Sequence, residues 1–190
     1  MDDRIERLFV LTGGPGSGKS TLIEALARAG YAGSVEAGRA VIQGQMAIDG
    51  PALPWRDPPA FAELMLCWEI RSYHLAKDQA GLVFFDRGVP DVVGYLRLLG
   101  LRVPAHMDNA ARIFRYNRRV FIAPPWQAIF RGDRERKQSF DEAMRTYEAM
   151  VTTYRDYGYE LIELPRATIE ERVCFVLEHT RSAHADRHRG

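Results

Sequence analysis

Nine consecutive residues carry the clearest chemistry in this chain. They are Gly13, Gly14, Pro15, Gly16, Ser17, Gly18, Lys19, Ser20 and Thr21. The pattern is that of a phosphate-binding loop, in which glycines let the backbone curl until successive amides point inward at phosphate oxygens. Lys19 is then the group that reaches the outer phosphates, Ser20 offers its hydroxyl to magnesium, and Thr21 lies near the innermost phosphate. The expected ligands are therefore ATP, with GTP left open, and Mg2+. No NKxD segment of the kind that reads guanine is present, which favours ATP.

Three further groups could act on such a ligand. Asp86 ends the apolar run Leu82 to Phe85, and a buried strand would carry its carboxylate to the edge of a sheet beside the loop. There it could hold magnesium together with Ser20. The alternatives are a turn cap or a pair with Arg87, which itself could hold an acceptor phosphate. Glu36 follows a weaker apolar segment, with Arg39 three residues on. It could take a proton from an attacking hydroxyl or water, or simply stabilise a helix N-terminus. Arg131, Arg134 and Arg136 crowd one polar stretch, interleaved with Asp133 and Glu135. Such guanidinium groups either close over transferring phosphates or form a solvated charge run. The histidines show no metal-ligand spacing, and Trp55, Trp68 and Trp126 suit either a base or acceptor pocket or ordinary packing.

These residues need elements to position them. Leu8 to Leu11 is a short continuous apolar run stopping at glycines, as in a strand buried on both faces. After Lys19, Leu22, Ile23, Leu26 and Ala27 have helical spacing, closed by Gly30. A weak strand is expected near 33–36 and a helix near 39–48. Residues 49–59 hold four prolines and read as a loop. A long amphipathic helix then starts at Phe61, with Leu64, Met65, Trp68, Ser72, Leu75 and Ala76 on its inner face. Further helices are expected at 91–99 and 106–117, with a strand at 120–123 between that pair and the arginine-rich loop. Ser139 with Glu142, and Thr168 with Glu171, are capping-box patterns opening two helices on either side of a strand at 160–164. The first of those helices is expected to bury Phe140, Ala143, Met144, Tyr147, Val151 and Tyr154. Strands alternating with helices imply a parallel sheet covered on both faces.

Composition bounds the possibilities. The chain has 190 residues, 46% of them hydrophobic and 27% charged, which fits one globular domain over 1–181 with a loop at about 125–138 and a frayed tail at 182–190. The formal net charge is +1, although only three of its 26 basic residues are lysine. That balance offers no global field for nucleic acid. Cys67 and Cys174 lack any paired spacing and are expected in the core. With no run long enough to cross a membrane, a cytoplasmic location is expected.

The stretches VLTGGPGSGKSTLIEAL with VEAGR, VFFDRGVPDVVGYL, and YRDYGYELIELP with IEERVCFVL resemble those of small bacterial P-loop proteins described as AAA-domain ATPases, over residues 8–178. In layout the chain is also similar to nucleoside and nucleotide kinases. The resemblance implies an α/β fold: a P-loop NTPase three-layer α/β/α sandwich on a mainly parallel five-stranded sheet, kinase-like. It implies that Glu36 activates an acceptor hydroxyl, that Arg87 positions the acceptor, and that Arg131, Arg134 and Arg136 supply a lid. The function it implies is transfer of the terminal phosphoryl group of ATP to a small hydroxyl or phosphate acceptor. A nucleotide-binding regulatory switch without such an acceptor is the other reading. Oligomeric state is left open.

Overall fold

The computed structural model describes residues 5–130 and 139–185, with side chains to 180. After a single 3-10 turn at Ile5–Arg7, the chain alternates strand and helix. The strands are β1 (Leu8–Gly13), β2 (Ala32–Gly33), β3 (Val83–Asp86), β4 (Arg119–Ala123) and β5 (Glu160–Glu163). The helices are α1 (Lys19–Arg28), α2 (Ala37–Ala47), α3 (Pro58–Lys77), α4 (Val89–Leu98), α5 (Ala105–Ile113), α6 (Phe140–Asp156) and α7 (Ile169–Ala185). All five strands run parallel in the order β2-β3-β1-β4-β5. This is the expected three-layer α/β/α architecture.

The period-two geometry of a strand explains how one short run feeds two cores. In β1, Leu8 and Val10 face α2 to α6, whereas Phe9 and Leu11 face α1 and α7. Phe84 and Phe121, from the two strands flanking β1, stand beside Phe9 on the second face, with ring centroids 6.0 Å apart in each pair. Because both faces are covered, the strands read as unbroken apolar runs.

Several local expectations are corrected. The proline-rich loop is shorter than 49–59, because α3 already begins at Pro58. Prolines in the first turn lose no intrahelical bond, and the Asp57 carboxylate caps that turn by accepting from the Ala60 amide at 3.0 Å. The inner face of α3 is also rotated from the one read off apolar spacing. Leu64 and Leu75 are exposed, and Ala62, Leu66, Glu69 and Tyr73 join Phe61, Met65 and Ala76 inside. A buried glutamate in the stripe is what misdirected the pattern. In α6, Met144 is exposed while Thr146, Met150 and Thr153 are buried with Ala143 and Tyr154. The strand expected at 33–36 is only Ala32–Gly33, and α2 starts at Ala37. Cys67 and Cys174 are exposed rather than core residues, each on the outer side of its helix. α7 continues to Ala185, past the expected start of the tail. Both capping boxes form: the Ser139 amide donates to Glu142 Oε2 at 2.7 Å, and the Thr168 amide to Glu171 Oε2 at 2.9 Å.

Candidate nucleotide site at the sheet edge

The loop between β1 and α1 lies at the carboxyl edge of the central strand, where open parallel sheets bind ligands. Its close packing demands glycine. A Cβ on Gly13 would come within 2.4 Å of the Ala123 carbonyl oxygen of β4, and one on Gly14 within 2.4 Å of the Ala143 carbonyl oxygen of α6. The loop is therefore clamped between the fourth strand and the sixth helix.

Lys19, at the start of α1, is 6% exposed. Its Nζ donates to the Gly14 carbonyl at 2.7 Å, and more weakly to the Gly13 carbonyl and Ser17 Oγ, both at 3.3 Å. Burial, with Arg87 nearby, lowers its pKa to about 7 against the pull of Asp86, Glu36 and Asp91. Ser20 Oγ donates to Asp86 Oδ2 at 3.0 Å. The Asp86 amide is anchored on Ser34 Oγ at 3.1 Å, so β3 delivers the carboxylate to the loop as its strand-end position suggests. Asp86 is buried, which raises its pKa in spite of Lys19, and Oδ1 has no hydrogen-bond partner.

Arg87 adopts a left-handed backbone, φ 74°, a conformation that an arginine holds only when its surroundings impose it. They do so here through four contacts. Its amide donates to the Leu11 carbonyl at 3.0 Å. Its Nη1 reaches the Gly13 carbonyl and Asp91 Oδ1, both at 3.1 Å, and its Nε lies 3.5 Å from Glu36 Oε1. Burial opposes the charge, but Asp91, Glu36 and Asp86 outweigh it, so the guanidinium is held protonated beyond its usual range. Glu36 sits at the N-cap of α2. The structure therefore brings Lys19, Ser20, Glu36, Asp86 and Arg87 together. Arg131, Arg134 and Arg136 lie outside the described residues. The flanking Phe130 and Phe140 rings meet edge to face with centroids 5.4 Å apart, which brings the two ends of that segment together.

Two residues in contact with the loop cluster escaped the sequence reading. Asp91 is buried in the first turn of α4. Its Oδ1 accepts from Thr12 Oγ1 at 2.6 Å as well as from Arg87, and its Oδ2 accepts from Tyr154 OH at 2.6 Å and the Gly88 amide at 3.0 Å. It ties β1, α4 and α6 to one arginine. The only signal for it was an acid five residues after Asp86. Arg172 of α7 donates through Nη1 to the Ser17 carbonyl at 3.2 Å; burial lowers its pKa, and its Nε has no partner. Nothing in sequence spacing links position 172 to position 17.

Two cavities open onto this cluster. The larger, 760 Å3, is floored by the loop and walled by Arg39, Trp126, Ile129, Thr168 and Arg172. The smaller, 340 Å3, runs inward between α2, α3, α4 and α6, past Trp55, Phe61, Glu69 and Tyr95. Pro15, Glu36 and Arg87 line both. Of the three tryptophans, Trp55 and Trp126 thus reach cavities. Trp68 packs on the core, with the Arg71 guanidinium 5.9 Å from its ring. The described histidines stand apart from the cluster: His106, for example, pairs with Glu63 at 2.9 Å on the surface.

A family model described as an AAA domain matches residues 8–172. The chain belongs to the AAA-domain family. No curated protein matches it by sequence. Among solved structures, this AAA-domain chain is similar to deoxyadenosine kinase from M. mycoides, at 13% identity over 92% of this chain and 99% of that one, with a TM-score of 0.66. It is similar to NadR in complex with NR, at 16% identity over 94% and 52%, TM-score 0.68. Thymidylate kinase from Ehrlichia chaffeensis gives 14% identity over 93% and 98%, TM-score 0.60. At these identities the likeness is one of fold, and that fold is the kinase-like P-loop NTPase. Among the described residues no helix is long and apolar enough to cross a membrane.

Proposed function

We propose that this protein is a cytoplasmic, magnesium-dependent phosphotransferase that moves the terminal phosphoryl group of ATP to a small acceptor. The observation that carries the reading is the junction of the two cavities at Glu36 and Arg87. A switch that only binds and hydrolyses nucleotide needs the loop cavity alone. A transferase needs a second, sheltered chamber whose mouth opens where the terminal phosphate ends.

In this reading the triphosphate lies over the amides of residues 13–21, and Lys19 exchanges its bonds to the loop carbonyls for the outer phosphates. Ser20 and Asp86 would hold the magnesium. The fit rests on Ser20 Oγ and Asp86 Oδ2 standing 3.0 Å apart, with the buried Asp86 Oδ1 unpartnered. Among the described residues no group of three or more His, Cys, Asp or Glu could hold a metal by itself. Bound there, magnesium would neutralise charge on the phosphates. Glu36 accepts the proton of the acceptor hydroxyl as that oxygen bonds to the terminal phosphorus and the bond to the bridging oxygen of ADP breaks. Arg87, locked by Asp91, sets the acceptor against that phosphorus. The ligands of the neighbours, dATP on the deoxyadenosine kinase and NR on NadR, accord with a nucleotide donor and a small acceptor.

Two variants test the assignment. Glu36→Gln should lower acceptor-dependent turnover by roughly 10²–10⁴-fold, the span of a general base, with ATP affinity intact. Unchanged turnover would remove Glu36 from the chemistry. Lys19→Ala should abolish triphosphate binding, and retained affinity would sink the loop assignment.

A further inference from the structure

The inner cavity is lined by more acid than base. Glu36, Glu69, Asp91 and Glu142 face Arg87 and Arg145. Arg87 is already engaged by Asp91, Glu36 and the Gly13 carbonyl, and Arg145 is solvent-exposed at the rim. An anionic acceptor would enter a low-dielectric chamber whose acidic groups outnumber its basic ones, with its one buried guanidinium already paired.

Glu69 is the unusual member of this lining. It sits on the inner face of α3, 2% exposed, and its Oε2 has no hydrogen-bond partner. Burying an unsatisfied carboxyl costs stability, and an aliphatic side chain of similar size would fill the same slot without that cost. Trp55, Phe61 and Tyr95 line the same chamber, the last two edge to face with centroids 5.5 Å apart. A carboxyl among aromatic faces is the chemistry that binds an organic cation, the rings contributing their negative faces and the acid its charge.

We propose that the inner cavity takes a hydroxyl compound bearing a positively charged nitrogen, and that Glu69 is the residue that pairs with that nitrogen. The inference rests on the transfer reading only in calling this cavity the acceptor site. The groups around Glu69 fix its proton linkage. Burial, Asp91, Asp86 and Glu36 push its pKa well above the ordinary value, and Arg87 pulls it down. The buried hydroxyl of Tyr116 also feels its charge. A bound cation therefore displaces the Glu69 proton, and its affinity rises with pH through that titration. A neutral ligand releases none.

The experiment is equilibrium binding by calorimetry, without ATP, of matched cationic and uncharged hydroxyl compounds. The pairs are choline with 3,3-dimethylbutan-1-ol, and 1-methyladenosine with adenosine; AMP and glycerol phosphate form an anionic set. The expected result is at least a tenfold preference for one cation over its uncharged partner, with proton release, shrinking to less than threefold in Glu69→Gln. Tighter binding from the neutral or anionic sets, no preference in either pair, or a preference that survives in Glu69→Gln overturns the proposal. Phosphorylation of a neutral acceptor would overturn it too while leaving the transfer reading intact.

Discussion

In the proposed reading Lys19 turns from an internal prop into a phosphate ligand, and its proton should report the change. Its pKa in the folded chain is about 7, below the ordinary 10.5. Between those values the unfolded chain holds the proton and the folded chain does not, so this group makes the ligand-free protein gain stability as pH rises across the window. Triphosphate binding runs the other way, because the ammonium must be present in the complex. Above pH 7 each binding event takes up a proton, and the dissociation constant should rise by up to about tenfold per pH unit. Titrations at pH 6.5 and 8.5 check this; equal affinities would mean that Lys19 stays charged among its carbonyls. Glu69 gives the opposite sign. The unfolded chain ionises it near 4.5, while the folded chain keeps the proton to higher pH. Its stability contribution is therefore present at low pH and lost as pH rises through the folded value. Glu69→Gln should melt with wild type near pH 4.5 and above it at pH 8, by about 2–4 °C for each kcal/mol relieved. Identical melting curves at both pH values would refute the burial argument. At this scale legibility followed chemistry. Lys19 and Ser20 were singled out because the loop's residue types and spacing point to one physical use. Glu69, Asp91 and Arg172 were not, because what surrounds them comes largely from distant parts of the chain: Thr12 and Tyr154 at Asp91, Ser17 at Arg172.

At the scale of elements, the P-loop is held by α6 as much as by its own strand. The Ala143 carbonyl stands where a Gly14 Cβ would be, and backbone there has little freedom to retreat. Gly14→Ala should displace the start of α6, destabilise the fold by about 1–3 kcal/mol as overpacking does, and weaken triphosphate binding as well. A melting temperature within a degree of wild type would show that this packing is softer than it looks. Strand and helix order were legible because the central strands β1, β3 and β4 are short apolar runs and the capping residues announce helix starts. The inner face of α3 was not. Apolar spacing favoured Leu64 and Leu75, with Ser72 the one polar exception, yet the helix turns Glu69 and Tyr73 inward, Tyr73 onto Phe114 and Tyr116, and Leu75 is left 53% exposed. A functional acid in a helix stripe defeats a rule built on hydrophobicity.

For the whole molecule, the sheet order places β3 and β1 side by side, so their carboxyl ends put Asp86, Arg87 and the loop at one point. α2 adds Glu36 there, and the gap between α2, α3, α4 and α6 becomes the second chamber. That chamber separates a transferase from a switch, and sequence periodicity could not reveal it because a cavity is what several elements leave between them. The direct measurement is the fate of the γ-phosphoryl group. Protein, magnesium and γ-labelled ATP are incubated with a pool of hydroxyl compounds, cationic members included, and label is followed in organic product and in inorganic phosphate. The account predicts that at least one compound raises ADP release tenfold or more over the basal rate, with the label recovered on that compound. Label appearing only as inorganic phosphate, at a rate no compound changes, would contradict it.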